Sequence, residues 1–145
     1  MNYSLLLTIL IAKKYQISKT NEWKLAAKWL CMCGCLPEYL KGQLDKDSFT
    51  ICKFGMELRN GVILCNLLNY LKPNSIDLSK VSKHSKTSRV MSAYNIGLFQ
   101  EALNFFELNE NFVIDSDKLF DLDLSQVLKI LSQLSICSYS IKKGK

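Results

Sequence analysis

Histidine occurs once in this 145-residue chain, at position 84, and proline only twice, at Pro37 and Pro73. The scarcity of histidine leaves catalytic and metal chemistry poorly supplied. His84 sits in a polar stretch, a poor place to fix the geometry of a general base. Zinc sites want cysteine pairs two to four residues apart, often completed by histidine. The chain also lacks a phosphate loop of the G-x-x-x-x-G-K-[ST] type, a G-x-G-x-x-G turn and an H-E-x-x-H helix. The acids of "DSDKLFDLD", Asp115 to Asp123, lack the glycine and terminal glutamate of a calcium loop and read as surface acids near a helix start. No catalytic constellation, cofactor site or metal site is expected.

Long apolar runs are also missing. The nearest is "SLLLTILIA", Ser4 to Ala12, far short of the ~20 residues a membrane-spanning helix needs. A secretory signal carries its basic residues before the apolar run, whereas Lys13 and Lys14 follow it here. The segment reads as an extra helix, a tail or an upstream extension of the gene. With 48% apolar residues the chain has ample core material for a single domain, which argues against disorder of the chain as a whole. Six cysteines are scattered through apolar segments, with Cys31, Cys33 and Cys35 in one run. On a helix that run puts Cys31 and Cys35 on one face and Cys33 on the other. All six are expected to be reduced, mostly buried thiols of a cytoplasmic protein.

The pair Asn60-Gly61 poses the central question of fold. Asn-Gly between apolar runs is a strong hairpin signal, and Cys52 to Arg59 alternates apolar and polar. The flank after it does not alternate. Leu64, Leu67, Leu68 and Leu71 recur at i, i+3, i+4 and i+7, and Pro73 stops the pattern. The flank before it has no β-branched residue, and Phe54 and Leu58 continue a stripe from Ile51. Gly61 therefore reads as a break between two helices, where its tolerance of positive φ is useful.

Three further helices follow the same logic. Asn21 is a candidate N-cap for a helix carrying Leu25, Trp29 and Met32 or Cys33 on its stripe, ended by Gly34 and Pro37. Met91, Asn95, Leu98, Phe99, Ala102, Leu103 and Phe106 form a long apolar face. Asn95 stands out in it, because a buried amide needs partners, which a helix start or loop backbone could supply. Asp115 to Asp123 reads as a loop or short helix. Asp123 or Ser125 then caps a last helix built on Val127, Leu128, Leu131 and Leu134. Trp29, Leu64, Leu68, Phe99 and Leu131 are expected in the core, with Trp23 left between core and surface.

In order and spacing, these segments resemble the calponin homology domain family. "KWL" lies in the first helix. "LRNGVILCNLLNYLKP" is similar to the family signature L-x-[DN]-G-V-x-L-C-x-L-[LI]-N-x-L-x-P. "NIGLFQEALNFF" and "LFDLDLSQVLKILSQL" resemble its central and closing segments. The spacing of Trp23, Trp29, Cys33 and Pro37, together with "NSIDLSKVS" after Pro73, is similar to the N-terminal domain of the Vav family of Rho guanine-nucleotide exchange factors. Asn60 departs from the commoner aspartate.

The resemblance implies an all-α, compact bundle of four main helices plus short connecting helices. It spans residues 21 to 138, after an extension over 1 to 20 and before a basic tail over 139 to 145. It implies a non-catalytic protein-interaction module, a monomer, regulatory toward the exchange region of its own parent protein. The alternative is an actin-binding or adaptor-binding domain associated with the cytoskeleton.

The net charge of +6 is unevenly spread. Ser79 to Arg89 carries Lys80, Lys83, Lys86 and Arg89 with no acid, whereas Glu107 to Asp123 carries six acids against Lys118. The basic residues are the candidate site for an acidic protein partner or anionic lipid, set against the simpler reading of a solvated loop. The aromatics or groove-reading helix of a nucleic-acid footprint are absent from the stretch.

Overall fold

The computed structural model describes residues 22–83, 88–108 and 111–143, with side chains described as far as Cys137. Among the described residues there are seven α-helices and no strand: α1 Glu22–Met32, α2 Glu38–Lys41, α3 Ile51–Leu58, α4 Val62–Leu71, α5 Arg89–Leu103, α6 Ser116–Phe120 and α7 Ser125–Lys143. A short 3-10 turn, Leu78–Lys80, lies between α4 and α5. The four longest, α7, α5, α1 and α4, are joined by shorter pieces, as the all-α expectation required. Helix α7 runs on to Lys143, past the boundary expected at residue 138. The candidate cap Asn21 lies outside the described residues.

The helix ends are written in the sequence. Gly34, at φ +74°, closes α1, with Cys35 N donating to Leu30 O at 2.9 Å and Gly34 N to Cys31 O at 3.0 Å. This is the left-handed helix stop that glycine favours. It also corrects the cysteine reading. The helix ends at Met32, so Cys33 and Cys35 are not on opposite faces, and both are buried. All six cysteines are free thiols, and Cys52 is exposed. Thr50 caps α3 by accepting from Lys53 N, and Ser88 caps α5 by accepting from Met91 N. Asp115 caps α6, and the Asp123 carboxylate accepts from Ser125 N and Oγ at the start of α7.

Helix α1 packs against α7 and α3, and α4 lies along α5. Trp23 is buried, packing its ring against Phe49 and Phe54 at centroid distances of 5.5 and 6.0 Å. Trp29, Leu64, Leu68, Phe99 and Leu131 are all core residues, as expected. Truncating such a side chain costs roughly 2–5 kcal/mol. Most of the expected faces of α3 and α5 are buried, and single positions near their starts depart from them. In α5 Met91 is exposed while Ser92 and Ile96 are buried, and in α3 Ile51 is exposed. The buried stripe of α5 therefore follows Ser92, Asn95, Ile96, Phe99, Ala102 and Leu103. A small hydroxyl residue at 92 let a purely apolar count place the face too near Met91.

Asn60-Gly61 is the joint between α3 and α4. Asn60 Oδ1 accepts from Val62 N at 2.9 Å, so this side chain starts α4. Gly61 has φ +83°. A Cβ built there would lie 2.9 Å from Asn95 Cβ and 3.2 Å from Ile96 N. Both the conformation and the approach of α5 demand glycine.

Two expectations follow. Gly61→Ala should lower unfolding free energy by roughly 2 kcal/mol or more, combining left-handed strain with the clash on α5; urea denaturation measures it, and a loss near zero would mean the α4–α5 approach is slack. The Asp123 carboxylate is held below the usual aspartate range by its bond from Ser125 Oγ and then by that from Ser125 N. A depressed folded value means that its contribution is complete above the unfolded value of ~3.9 and is lost as pH falls through the folded one. The melting-temperature gap between wild type and Asp123→Ala, open at neutral pH, should close as pH drops below about 4. A gap that persists in strong acid would rule out a carboxylate cap.

Candidate interaction surface

The surface begins with how its base is held. Helix α4 ends at Leu71, with Lys72 as its C-cap, and the chain turns through Asn74 at φ +68°. Asn69 then pins the returning strand of chain: its Nδ2 donates to Ile76 O, and its Oδ1 accepts from Ile76 N, both at 2.8 Å. Asp77 caps the 3-10 turn by accepting from Ser79 N and Oγ, bonds that hold its carboxyl below the usual range. At Ser82, six residues on from Ile76, Asn95 does the same work at greater depth. Its side chain is wholly buried. Nδ2 donates to Asn60 O and to Ser82 O, and Oδ1 accepts from Ser82 N, each at 2.9 Å. The Cys65 thiol donates to Asn95 O at 3.5 Å, and burial pushes that thiol up to about 12. One amide thus joins the α3–α4 joint, the basic segment and α5.

The predicted site residues divide on this frame. Lys80, at the end of the 3-10 turn, and Lys83, next to the pinned Ser82, are exposed. Lys86 and His84 lie outside the described residues. Arg89 is placed differently. At the start of α5 it donates to Asp117 at 3.1 Å and to Asp121 at 2.7 Å, bonds that raise its affinity for its proton. Its guanidinium lies 4.5 Å from the centre of the Phe120 ring. Arg59, from the end of α3, covers the same ring at 4.3 Å and donates to Phe120 O. The basic and acidic stretches meet here, and Arg89 is committed to a partner within the fold.

Exposed apolar residues lie before and after the lysines along the chain. Leu78, Val90, Met91 and Tyr94 are all exposed, Val90 by 76%. Val90 and Tyr94 stand four apart on the side of α5 away from the core, and Met91 adds to them. Of these residues of α5, the sequence pattern assigned Met91 to the core face and gave Val90 and Tyr94 no role. Tyr39 makes another polar contact unseen in the pattern. Its hydroxyl donates to Glu57, which pushes the phenol up to about 12. Among the described residues there is no group of three or more metal-ligating side chains, and no helix is long and apolar enough to cross a membrane.

A mixed surface of lysines and exposed apolar side chains, rooted in a rigid helical frame, is suited to binding another macromolecule. Comparison with known proteins identifies the frame. The family profile of the calponin homology (CH) domain matches residues 36–139, most of the chain. The chain belongs to the calponin homology domain family. Beyond the profile, it is similar to the human guanine nucleotide exchange factor VAV3, with 32% identity over 126 residues, 86% of this chain and 15% of that protein. It is 32% identical to the human proto-oncogene vav over 124 residues, and 31% identical to the fruit-fly protein vav over 118 residues, in each case 14% of the relative. This calponin homology domain therefore spans about 15% of the length of the curated relatives it matches. The similarity is consistent with the N-terminal calponin homology domain of the Vav family.

Asn95 is the position on which the surface depends. Asn95→Leu conserves bulk but deletes all three side-chain hydrogen bonds to Asn60 and Ser82. The expected loss is roughly 3 kcal/mol, from backbone groups that lose a buried partner at about 1 kcal/mol or more each. Hydrogen exchange should accelerate at Ser82 N before it does in the core of α7. Uniform acceleration would show that Asn95 stabilises the whole bundle without anchoring the basic segment.

Proposed function

We propose that this domain is a non-catalytic regulatory module, acting by binding the exchange region of a Vav-like Rho guanine-nucleotide exchange factor and restraining or scaffolding it. The observation that carries the reading is the similarity to exchange factors over 86% of this chain. A module that makes up about 15% of such relatives has a large parent protein to act upon. The surface chemistry supports a protein partner. Lys80 and Lys83 offer charge, Leu78, Val90, Met91 and Tyr94 offer apolar contact, and the two kinds of group are neighbours along the chain. Interface cores favour aromatic and Met side chains, with charge at the rim. On this reading the domain works as a monomer in the cytoplasm. Residues 21 to 138 form the working unit, and Lys80, Lys83 and Lys86 supply the partner-facing charge.

A second reading, direct binding to filamentous actin, rests on the same exposed lysines, which would attract an acidic filament. The two separate cleanly. The 145-residue chain should slow nucleotide release when added in trans to a Vav exchange region. Reversing three charges, K80E/K83E/K86E, should weaken that inhibition by about 10-fold or more. Co-sedimentation with actin filaments that falls as salt rises would instead favour the filament. Neither inhibition nor binding to the exchange region at high concentration would overturn the regulatory reading.

A further inference from the structure

The described helices contain two glycines, Gly55 in α3 and Gly97 in α5. The fold needs the first. A Cβ at Gly55 would meet the Leu122 and Leu124 side chains at 3.2 and 3.3 Å. It has no such need of the second. Gly97 stands mid-helix and exposed, its φ is not positive, and a Cβ there would meet nothing within 4 Å. Glycine inside a helix is less favourable than alanine, because the chain gives up more conformational freedom there. No described residue offsets that cost.

Gly97 has a place in a pattern. Val90, Tyr94, Gly97, Glu101 and the C-cap Asn104 recur at alternating intervals of four and three, and all five are exposed. This is the spacing of a seam along which two helices pack. The core face of α5 runs through Asn95, Ile96 and Phe99, so the exposed seam is a second one, turned outward. It is ~21 Å long at 1.5 Å per residue. Its first half is apolar and its second half polar. Gly97 leaves a notch at its middle, and the side chains at a contact set how closely two helices approach.

Resting on the regulatory reading above, we propose that this outward seam receives one helix of the exchange region, crossing α5 at Gly97 with a large apolar side chain seated in the notch. Charge selects the occupant. Ser82 is bonded to Asn95, which brings Lys83 to the level of Tyr94. Glu101 stands about 10 Å further along α5. The partner helix is therefore apolar and acidic where it passes Tyr94 and Lys83, and polar or basic where it passes Glu101. A second copy of the domain fails this requirement in both directions. Laid parallel, Glu101 meets Glu101 and Lys83 meets Lys83. Laid antiparallel about Gly97, Val90 meets Asn104 and Tyr94 meets Glu101, so neither apolar half finds an apolar partner.

The test is calorimetric titration of the 145-residue chain with a Vav exchange region, wild type beside Gly97→Gln. Glutamine is a good helix former entering open space, so the melting temperature of the variant should rise by a few degrees. Its affinity should nevertheless fall by about 10-fold or more, because the notch is filled. Hydrogen exchange in the wild-type complex should slow over one helix of the exchange region, and Gly97→Gln should remove that protection. Equal affinity of variant and wild type would overturn the seam while leaving the regulatory reading in place. Protection confined to a loop of the exchange region would do the same. A wild type that does not bind at all would overturn the regulatory reading, and the seam with it. Self-association of the domain that Gly97→Gln abolishes would assign the seam to a second copy and overturn the proposal.

Discussion

The side chain of Asn95 is the interaction on which the rest of the fold depends. It lies at the centre of α5, wholly buried, and spends its hydrogen-bonding capacity on backbone groups from two other segments. Those groups are Asn60 O, at the joint between α3 and α4, and the N–H and C=O of Ser82, at the root of the basic segment. Gly61 is the complement to this amide. Only a residue without a side chain fits at the joint, since a Cβ there would lie 2.9 Å from Asn95 Cβ. A polar group in a low-dielectric core is costly when unpaired and directional when paired. Asn95 converts that cost into a fixed register between three pieces of chain.

The same device recurs at the periphery. Asn69 exchanges two hydrogen bonds with Ile76. Gln100 Nε2 donates to Phe112 O, and its Oε1 accepts from Ile114 N at 2.8 Å, tethering the long connection after α5. Gln126 Oε1 accepts from Asp115 N, holding the start of α6 against α7. A carboxamide presents a donor and an acceptor with the geometry of a peptide group, so it can pair with a loop as a neighbouring strand would. In an all-helical domain the connections have no sheet to join, and amide side chains take that part.

Much of this was legible in the sequence, for reasons that differ residue by residue. The period of Leu64, Leu67, Leu68 and Leu71 overrode the hairpin signal of Asn60-Gly61, because four side chains must share a face and a turn dipeptide need not be a hairpin. Asn95 was marked by incongruity, a polar residue in an apolar stripe. Asn69 and Gln100 escaped notice because half-buried amides look like ordinary surface residues until their loops are placed. The first turn of α5 was misplaced because exposed Met91 and buried Ser92 invert the usual preference. For the candidate site, sequence proximity put Arg89 with Lys80, Lys83 and Lys86. Only the fold shows that Asp117 and Asp121, distant along the chain, have taken it.

The Phe120 ring between Arg59 and Arg89 has an electrostatic consequence of its own. It fixes the boundary where the lysine-bearing segment meets the acids of α6, and there opposite charges cancel in place. Exposed positive charge remains at Lys80 and Lys83, before α5 in the chain, and exposed negative charge at Asp115 and Asp123, which flank α6. A charged surface approaching the domain therefore meets a dipole, which exerts a torque as well as a pull. Such steering acts within about a Debye length of the surface.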